Sequence, residues 1–257
     1  MHLMPIFDFG SVDERFPGSN NRNWGYDPKN FNVPEGSYFS NPYNPVTRIL
    51  ELWQMIMKFH ERGIRVVMDM VYNHMMSTVN MDNIVPGYYF RSDYLGRYTN
   101  GSGCGNELAS ERPMVRKFII DSCLHWIKDY KIDGIRFDLM ELLDIDTTKE
   151  IVKKTTKLDK NFLIYGEPWK GGSSPLVNGT YKGSQKNENF SIFNDTFRDA
   201  IRGNNHPSSG FINGNQYSSI CNWSIIEGLK GSIYTITSNP NESINYVDAH
   251  DNYTLWD

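Results

Sequence analysis

The stretch Gly134-Ile135-Arg136-Phe137-Asp138 decides the fold, because an apolar run with one embedded charge ends in a carboxylate. Such a run reads as a buried strand whose tip reaches the end of the core. A carboxylate there must be paired or hydrogen-bonded to keep its charge. The stretch therefore predicts a β-strand that carries a functional acid at its carboxyl end.

Three further stretches have the same form, an apolar run followed by polar side chains: DMVYNH (69–74), LIYGE (163–167) and YVDAHD (246–251). Strand-like runs alternate with helical patterns along the chain, which is typical of βα units around a parallel sheet. Barrel enzymes build their active sites at the carboxyl ends of such strands. Four polar tips therefore predict one active site on an α/β barrel.

Six strands are predicted, at residues 2–9, 64–69, 134–138, 162–167, 190–194 and 244–248. A closed barrel of this class has eight, and its first and last strands are neighbours, so both missing strands would fall in one gap. The prediction is thus a TIM-type (β/α)8 barrel that is incomplete, occupying residues 1–257 with no second domain. The long connections 10–45 and 75–112 are predicted to form the walls of the cleft.

The helices are predicted from apolar periodicity. One precedes Gly63, with an apolar face made of Val46, Ile49, Leu50, Trp53, Ile56 and Met57. A second spans residues 113–130, with a face made of Val115, Ile119, Cys123, Trp126 or Ile127, and Tyr130. Shorter helices are predicted at residues 147–157, 196–201 and 218–228. Each precedes or follows a predicted strand, as βα units require.

Composition excludes several classes of partner. The net charge of −4 provides no basic surface for nucleic acid, and no run of about 18 apolar residues is present to span a membrane. Aromatic residues are plentiful (6 Trp, 15 Tyr, 14 Phe), many of them in polar stretches, which suits a sugar-binding cleft. We expect a monomer that binds a small molecule or a neutral polymer.

The three cysteines, Cys104, Cys123 and Cys221, are odd in number and far apart. This argues against a disulfide framework or a metal site, so all three are predicted to be buried thiols. The first residues lack the basic start, apolar core and cleavage site of a signal peptide, and the compartment is not indicated.

Three carboxylates, Asp138, Glu167 and Asp251, end predicted strands or follow them closely. A pair of carboxyl groups facing each other across a bond is the usual equipment of glycoside hydrolysis. Arg136 shares a strand face with Asp138 and is expected to lower its pKa, whereas apolar neighbours are expected to raise the pKa of Glu167. The alternative is that Arg136 and Asp138 form an ion pair that only ties strands together.

His74 and His250 adjoin the acidic stretches but lack the spacing of a metal site, so they are predicted to donate hydrogen bonds to sugar hydroxyls. Asp69 and Asn73 are also candidates for the substrate site. Their alternative role is to hold the strand tip in shape.

These motifs resemble a known family. DMVYNH, GIRFDLM, YGEPW and YVDAHDN, in that order, are similar to the four conserved regions of the α-amylase superfamily, glycoside hydrolase family 13. NWGYDP (23–28) resembles the signature of type I pullulanases, the debranching members of that family. The stretches NGSGCGN (100–106) and ASERP (109–113) resemble the same subgroup.

The resemblance implies a retaining hydrolase of α-1,6 branch linkages in pullulan, glycogen or limit dextrins. By position, Asp138 would be the nucleophile, Glu167 the general acid/base, and Asp251 the carboxylate that stabilises the transition state. The residues implied to contact the sugar are Tyr26, which would stack on its ring, and Trp24, Asp69, Asn73, His74, Arg136, Trp169, His250 and Asn252.

Two alternatives remain at the level of sequence. The chain is an α-amylase or an isoamylase-like glycogen debrancher, or it is a truncated, non-catalytic glucan-binding remnant. No cofactor is expected. Structural calcium is compatible with the family, although no DxDxDG-type loop occurs.

Overall fold

The computed structural model describes residues 1–16, 22–205 and 208–256. They divide into two units, residues 1–180 and residues 181–257. In this part of the chain, every helix is too short or too polar to cross a membrane.

The first unit is built on a parallel sheet. Along the chain it contains β1 (His2–Leu3), β2 (Phe7–Phe9), β3 (Pro28–Pro34), α1 (Pro45–His60), β4 (Val67–Met70), α2 (Val79–Asp82), α3 (Pro113–Tyr130), β5 (Gly134–Phe137), α4 (Ile145–Leu158) and β6 (Leu163–Gly166), with 3-10 turns at Gly36–Tyr38 and Met140–Leu142. β1, β4, β5 and β6 pair in that order. Helices α1, α3 and α4 connect successive strands of this sheet, so the chain crosses over after each strand and the next strand runs in the same direction.

The register of this sheet sets out the rows of side chains above it. Asp69 of β4 lies opposite Arg136 of β5, which lies opposite Tyr165 of β6. Because side chains alternate along a strand, residues two further on share the same face. Asp138 and Glu167 therefore belong to the row above Arg136 and Tyr165, at the carboxyl edge of the sheet.

The second unit contains β7 (Ser191–Asn194), α5 (Asp195–Arg202), α6 (Ser219–Leu229) and β8 (Ser243–Asn245), with 3-10 turns at Phe211–Asn213 and Pro240–Glu242. β7 and β8 are parallel, with Ile192 opposite Ser243. Asn194 ends β7 and caps α5, since its side chain accepts the N–H of Phe197. Over the described residues, the first unit thus has four parallel strands in one sheet and the second has two, in both cases alternating with helices, which confirms the incomplete (β/α)8 barrel.

Three predicted strands differ from the observed ones; the strand predicted at 64–69 begins only at Val67. Residues 2–9 form two strands, because Pro5 cannot donate to a ladder and the chain leaves the parallel sheet after Leu3. β2 instead pairs antiparallel with β3, which lies inside the predicted loop 10–45. The last strand ends at Asn245, so Tyr246 and Asp248 lie beyond it.

The apolar face predicted for α1 is wrong at four of its six positions: Ile56 is buried as predicted and Ile49 is half-buried, but the other four residues are exposed. The residues it buries are Arg48, Leu52 and Ile56, whereas Val46, Leu50, Trp53 and Met57 are between 44% and 53% exposed. Arg48 is held inside by Glu14, to which its two terminal nitrogens donate at 2.9 and 2.7 Å. The ion pair with a neighbouring segment therefore favours burial of the helix face that carries Arg48. The apolar period of the helix does not contain this information.

The face predicted for α3 is confirmed, since Val115, Ile119, Cys123, Trp126, Ile127 and Tyr130 are all buried. The helix begins at Pro113, where the missing N–H costs nothing. The indole of Trp126 is fully buried and donates to the carbonyl of Phe31, at 2.9 Å, in β3. This bond ties the antiparallel hairpin to the helix layer.

Candidate active site

Two carboxylates emerge side by side at the carboxyl edge of the first unit's sheet. The amide of Asp138 donates to the carbonyl of Met70 at 3.0 Å, and the amide of Glu167 donates to Phe137 at 3.1 Å. These bonds continue the two ladders by one residue beyond the strands. Pairing between neighbouring strands thus places both acids on one rim, although they are distant in sequence.

One guanidinium joins the acids of this rim. Nη1 of Arg136 donates to both oxygens of Asp69, at 2.9 and 3.0 Å, and to Oδ1 of Asp138 at 2.9 Å. Nη2 donates to Oε1 of Glu167. Arg136 is 2% exposed, so three carboxylates meet one positive charge away from bulk water. Such a cluster is strongly coupled in its protonation.

Burial and crowding shift the pKa values within this cluster. Burial raises the pKa of Glu167 to about 8, against the opposing effect of Arg136, and nearby Asp138 raises it further. The direction agrees with the prediction for a general acid. Burial also raises the pKa of Asp138, where Arg136 again opposes and Asp69 adds to the rise. Arg136 lowers the pKa of Asp138, as expected, but burial outweighs the single cation that the acids share, so the net shift is upward and not downward.

A strained residue follows Asp138. Leu139 has φ +40°, in the left-handed region that a branched side chain avoids, and its amide donates to Oε2 of Glu167 at 2.9 Å. Strain of this kind persists only where the surroundings enforce it. Leu139 thus holds the second oxygen of Glu167, and no sequence pattern indicated it.

Asp69 lies beneath the site. It is fully buried, and besides Arg136 it accepts the hydroxyl of Tyr26 at 2.7 Å. Its pKa is lowered because Arg136, His2 and Tyr26 together outweigh the cost of burial. With no exposed surface, Asp69 fits the alternative of holding the strand tip, and it also orients Tyr26. The Tyr26 ring lies 5.9 Å from the guanidinium carbon of Arg136.

Asn73 and His74 form the next contact with the nucleophile candidate. Nδ2 of Asn73 donates to Oδ2 of Asp138 at 2.7 Å, and its Oδ1 lies 2.6 Å from Nδ1 of His74. Burial lowers the pKa of His74 to about 4, so the ring is neutral at neutral pH. Asn73 is fully buried and His74 is 3% exposed. Asn73 therefore positions Asp138, while His74 supports Asn73.

The remaining predicted residues are less enclosed. Trp24 is 43% exposed and Trp169 is partly buried, both in the first unit. His250, Asp251 and Asn252 are exposed in the second unit, in the segment that follows β8. The amide of Asn252, which has φ +66°, donates to Asp251 at 2.9 Å. Their predicted roles stay predictions.

Among the described residues, one group of acids is close enough to share a cation. Asp8, Glu14 and Glu35 have carboxylate oxygens within 4.8 Å of one another. The guanidinium of Arg48 already lies against Glu14, and Glu35 accepts the amides of Phe9 and Ser37. A cationic side chain occupies this cluster, so its donor set does not fit calcium.

All three cysteines are free thiols. Cys123 and Cys221 are buried as predicted, but Cys104 is exposed. Cys104 lies in the loop of residues 100–106, which borders the site. Although the residue is exposed, partial enclosure of its thiol raises the pKa, and the nearby charge of Asp138 raises it further.

Proteins of known structure that resemble this chain are pullulanases. No family model matches the chain. The pullulanase of Bacillus subtilis is 42% identical over 269 residues, which cover 100% of this chain and 37% of that protein. The solved pullulanase of Bacillus acidopullulyticus superposes with a TM-score of 0.95 at 45% identity, covering 99% of this chain and 32% of that one.

A pullulanase of Paenibacillus barengoltzii, solved in complex with maltohexaose and α-cyclodextrin, superposes with a TM-score of 0.94 at 42% identity. It is covered over 41% of its length, and this chain over 99%. The chain thus spans well under half the length of these relatives. Sequence identity and fold agree, and the chain belongs to the type I pullulanases of glycoside hydrolase family 13.

Proposed function

We propose that this chain supplies catalytic residues for the hydrolysis of α-1,6-glucosidic linkages in pullulan, glycogen or limit dextrins. The observation that carries the proposal is the pair of Asp138 and Glu167 on one rim, both held by Arg136. A retaining glycosidase needs two carboxyl groups roughly 5–5.5 Å apart. Neighbouring parallel strands are a suitable scaffold for such a pair.

In the proposed mechanism, ionised Asp138 attacks the anomeric carbon while Glu167 donates its proton to the departing glycosidic oxygen. The C–O bond breaks, and a covalent glycosyl ester forms on Asp138. Glu167, now a carboxylate, takes a proton from water, whose oxygen attacks the same carbon and releases Asp138. Arg136 and Asn73 donate hydrogen bonds to Asp138 that favour its ionised form.

A raised pKa suits the role of Glu167, because a carboxyl group that titrates near 8 is protonated at pH 7. Asp251 is proposed as the third carboxylate, which stabilises positive charge developing on the sugar. Tyr26, with Trp24 and Trp169, is proposed to pack against sugar rings, and His74, Arg136, His250 and Asn252 to surround them. The substrate class follows from the relatives, one of which was solved with a bound maltooligosaccharide.

The proposal is tested by incubating the purified protein with pullulan and, separately, with linear amylose. Release of linear maltooligosaccharides from pullulan, abolished by Asp138→Asn and by Glu167→Gln, supports it. Cleavage of amylose alone points instead to an α-amylase. Binding of maltotetraose without cleavage of either polymer favours the glucan-binding remnant.

The chemistry proposed here is carried by side chains alone and requires no cofactor. Calcium is not proposed, because Arg48 occupies the acidic group that comes nearest to a cation site. We propose a monomer. Sedimentation of the purified protein, and its melting temperature with and without a chelator, test these two points.

A further inference from the structure

A second buried ion pair lies behind the candidate site, in Arg91 and Glu107. Glu107 is fully buried and Arg91 is 2% exposed, and Nη1 of Arg91 donates to Oε2 of Glu107 at 3.0 Å. Arg91 also donates to Glu111 at 2.8 Å and to the carbonyl of Leu142 at 2.9 Å. Burying charges is costly, and replacing a buried ion pair with well-packed apolar residues of similar volume often leaves the stability of the fold unchanged or increases it. The position of this pair therefore needs a reason.

Glu107 joins two loops that border the rim. Its Oε1 accepts the amide of Gly101 at 3.3 Å, and its Oε2 accepts the hydroxyl of Ser174 at 2.6 Å. Gly101 belongs to the loop of residues 100–106. Ser174 belongs to the segment of residues 170–174, which begins three residues after Glu167. One carboxylate thus holds the segment that follows the candidate general acid.

The two loops are in contact at glycines. The amide of Gly172 donates to the carbonyl of Gly101 at 2.8 Å. A Cβ on Gly171 would lie 2.5 Å from the carbonyl oxygen of Ser102, and a Cβ on Gly172 would lie 2.7 Å from that of Asn100. The backbones are therefore packed as closely as glycine allows, and a shift of one loop displaces the other.

The same loop is bound to the segment that holds Asp138. The side chain of Asn106 accepts the amide of Met75 at 3.1 Å and donates to its carbonyl at 2.7 Å. The amide of Leu108 donates to the carbonyl of Asn73 at 2.9 Å. Asn73 in turn donates to Asp138. A continuous set of bonds thus runs from the segment after Glu167, through Glu107, to Asn73 and the nucleophile candidate.

We propose that Glu107, paired with Arg91, is a positioning residue that sets the placement of Glu167 relative to Asp138. It touches neither acid and acts through the loop of residues 100–106 and the segment of residues 170–174. The proposal rests on the function proposed above, because it assigns Glu167 the role of general acid. Its consequence is that proton donation, more than sugar binding, depends on Glu107.

The first test follows the titration of Glu167 by NMR in protein with side-chain-labelled glutamate, with the signal assigned through Glu167→Gln. In Glu107→Gln the pKa of Glu167 is expected to fall by about one unit or more, because a displaced loop admits water to the acid. Ser174→Ala, which removes one hydrogen bond and leaves the ion pair, is expected to give a smaller shift in the same direction. Glu61→Gln, an exposed glutamate paired with Lys58, is the control and leaves the titration unchanged.

The second test compares pullulan with α-maltosyl fluoride, whose leaving group needs little protonation. Glu107→Gln is expected to lower kcat on pullulan by about tenfold or more, with a much smaller loss on the fluoride and little change in KM. Equal losses on both substrates, or an unchanged Glu167 titration in a folded Glu107→Gln variant, overturn the inference. If the unsubstituted protein cleaves neither substrate, the proposed function fails, and the NMR titration still decides the role of Glu107.

Discussion

At the scale of single residues, Arg136 determines the chemistry of the rim. It shares one positive charge among Asp69, Asp138 and Glu167. Asp69 accepts two hydrogen bonds from Arg136, and its pKa is lowered. The pKa values of Asp138 and Glu167, in the row above it, are raised. The three acids that share this cation therefore differ: Asp69 favours its ionised form, whereas Asp138 and Glu167 bind a proton more readily than free carboxyl groups do.

The raised pKa of Glu167 predicts how stability depends on pH. In the folded protein Glu167 keeps its proton up to about pH 8, whereas in the unfolded chain it loses the proton near pH 4.5. Stability linked to this group is thus present below about pH 4.5 and is lost as the pH rises to about 8. Urea unfolding of the protein and of Glu167→Gln should show the variant gaining relative stability over this range. A constant difference would contradict the assignment.

His74 predicts the opposite dependence. Burial holds its pKa at about 4 in the folded state, against 6.5 when unfolded. The unfolded chain therefore binds more protons between these values, and about 3 kcal/mol of stability is lost as the pH falls from 6.5 to 4. His74→Gln should lose less over the same range in urea unfolding.

At the scale of elements, the extent and the buried face of α3 were predictable from the sequence. Pro113 and the apolar period set the first turn and the buried face of α3. α3 ends at Tyr130, as predicted, but no pattern indicated that the next residue, Lys131, adopts φ +60°. Glycine is the usual residue at this position, because it has no Cβ to clash in the left-handed region.

Lys131→Gly is therefore expected to stabilise the protein, by about 0.5–1 kcal/mol, because it relieves the left-handed strain. Lys128→Gly, three residues earlier and inside α3, is the matched control and should destabilise by about 1 kcal/mol. Thermal and urea unfolding of both variants measure the difference. Equal destabilisation by the two substitutions would show that the conformation of Lys131 carries no strain.

At the scale of the whole molecule, the apolar period of α1 predicted only Ile56 among the three residues that the helix buries. Leu50 is 46% exposed and Leu52 is 1% exposed, although the sequence pattern favours the first as core. The ion pair between Arg48 and Glu14 decides the rotation of the helix. An exposed stripe of Val46, Leu50, Trp53 and Met57 results, and apolar patches of this kind promote association.

Leu50→Lys is accordingly expected to change the free energy of unfolding by less than about 0.5 kcal/mol. It should raise the highest concentration at which the protein is still monomeric, as measured by light scattering. Leu52→Lys, two residues away, is expected to prevent stable folding because it buries an unpaired charge. Similar effects of the two substitutions would mean that both positions face the same environment.

The amino-acid sequence by itself determined the alternation of strands and helices, the order of the polar strand tips, and the identity of the carboxylates Asp138 and Glu167. These features are local, since an apolar run and the residue that ends it are adjacent in the chain. Only the tertiary structure decided that Arg136 serves three acids, that Leu139 and Asn73 hold two of them, that α1 buries Arg48, and that Glu107 joins two loops. Each of these depends on strand register or on contacts between distant segments, where the balance of burial and charge is set by neighbours that local periodicity does not contain.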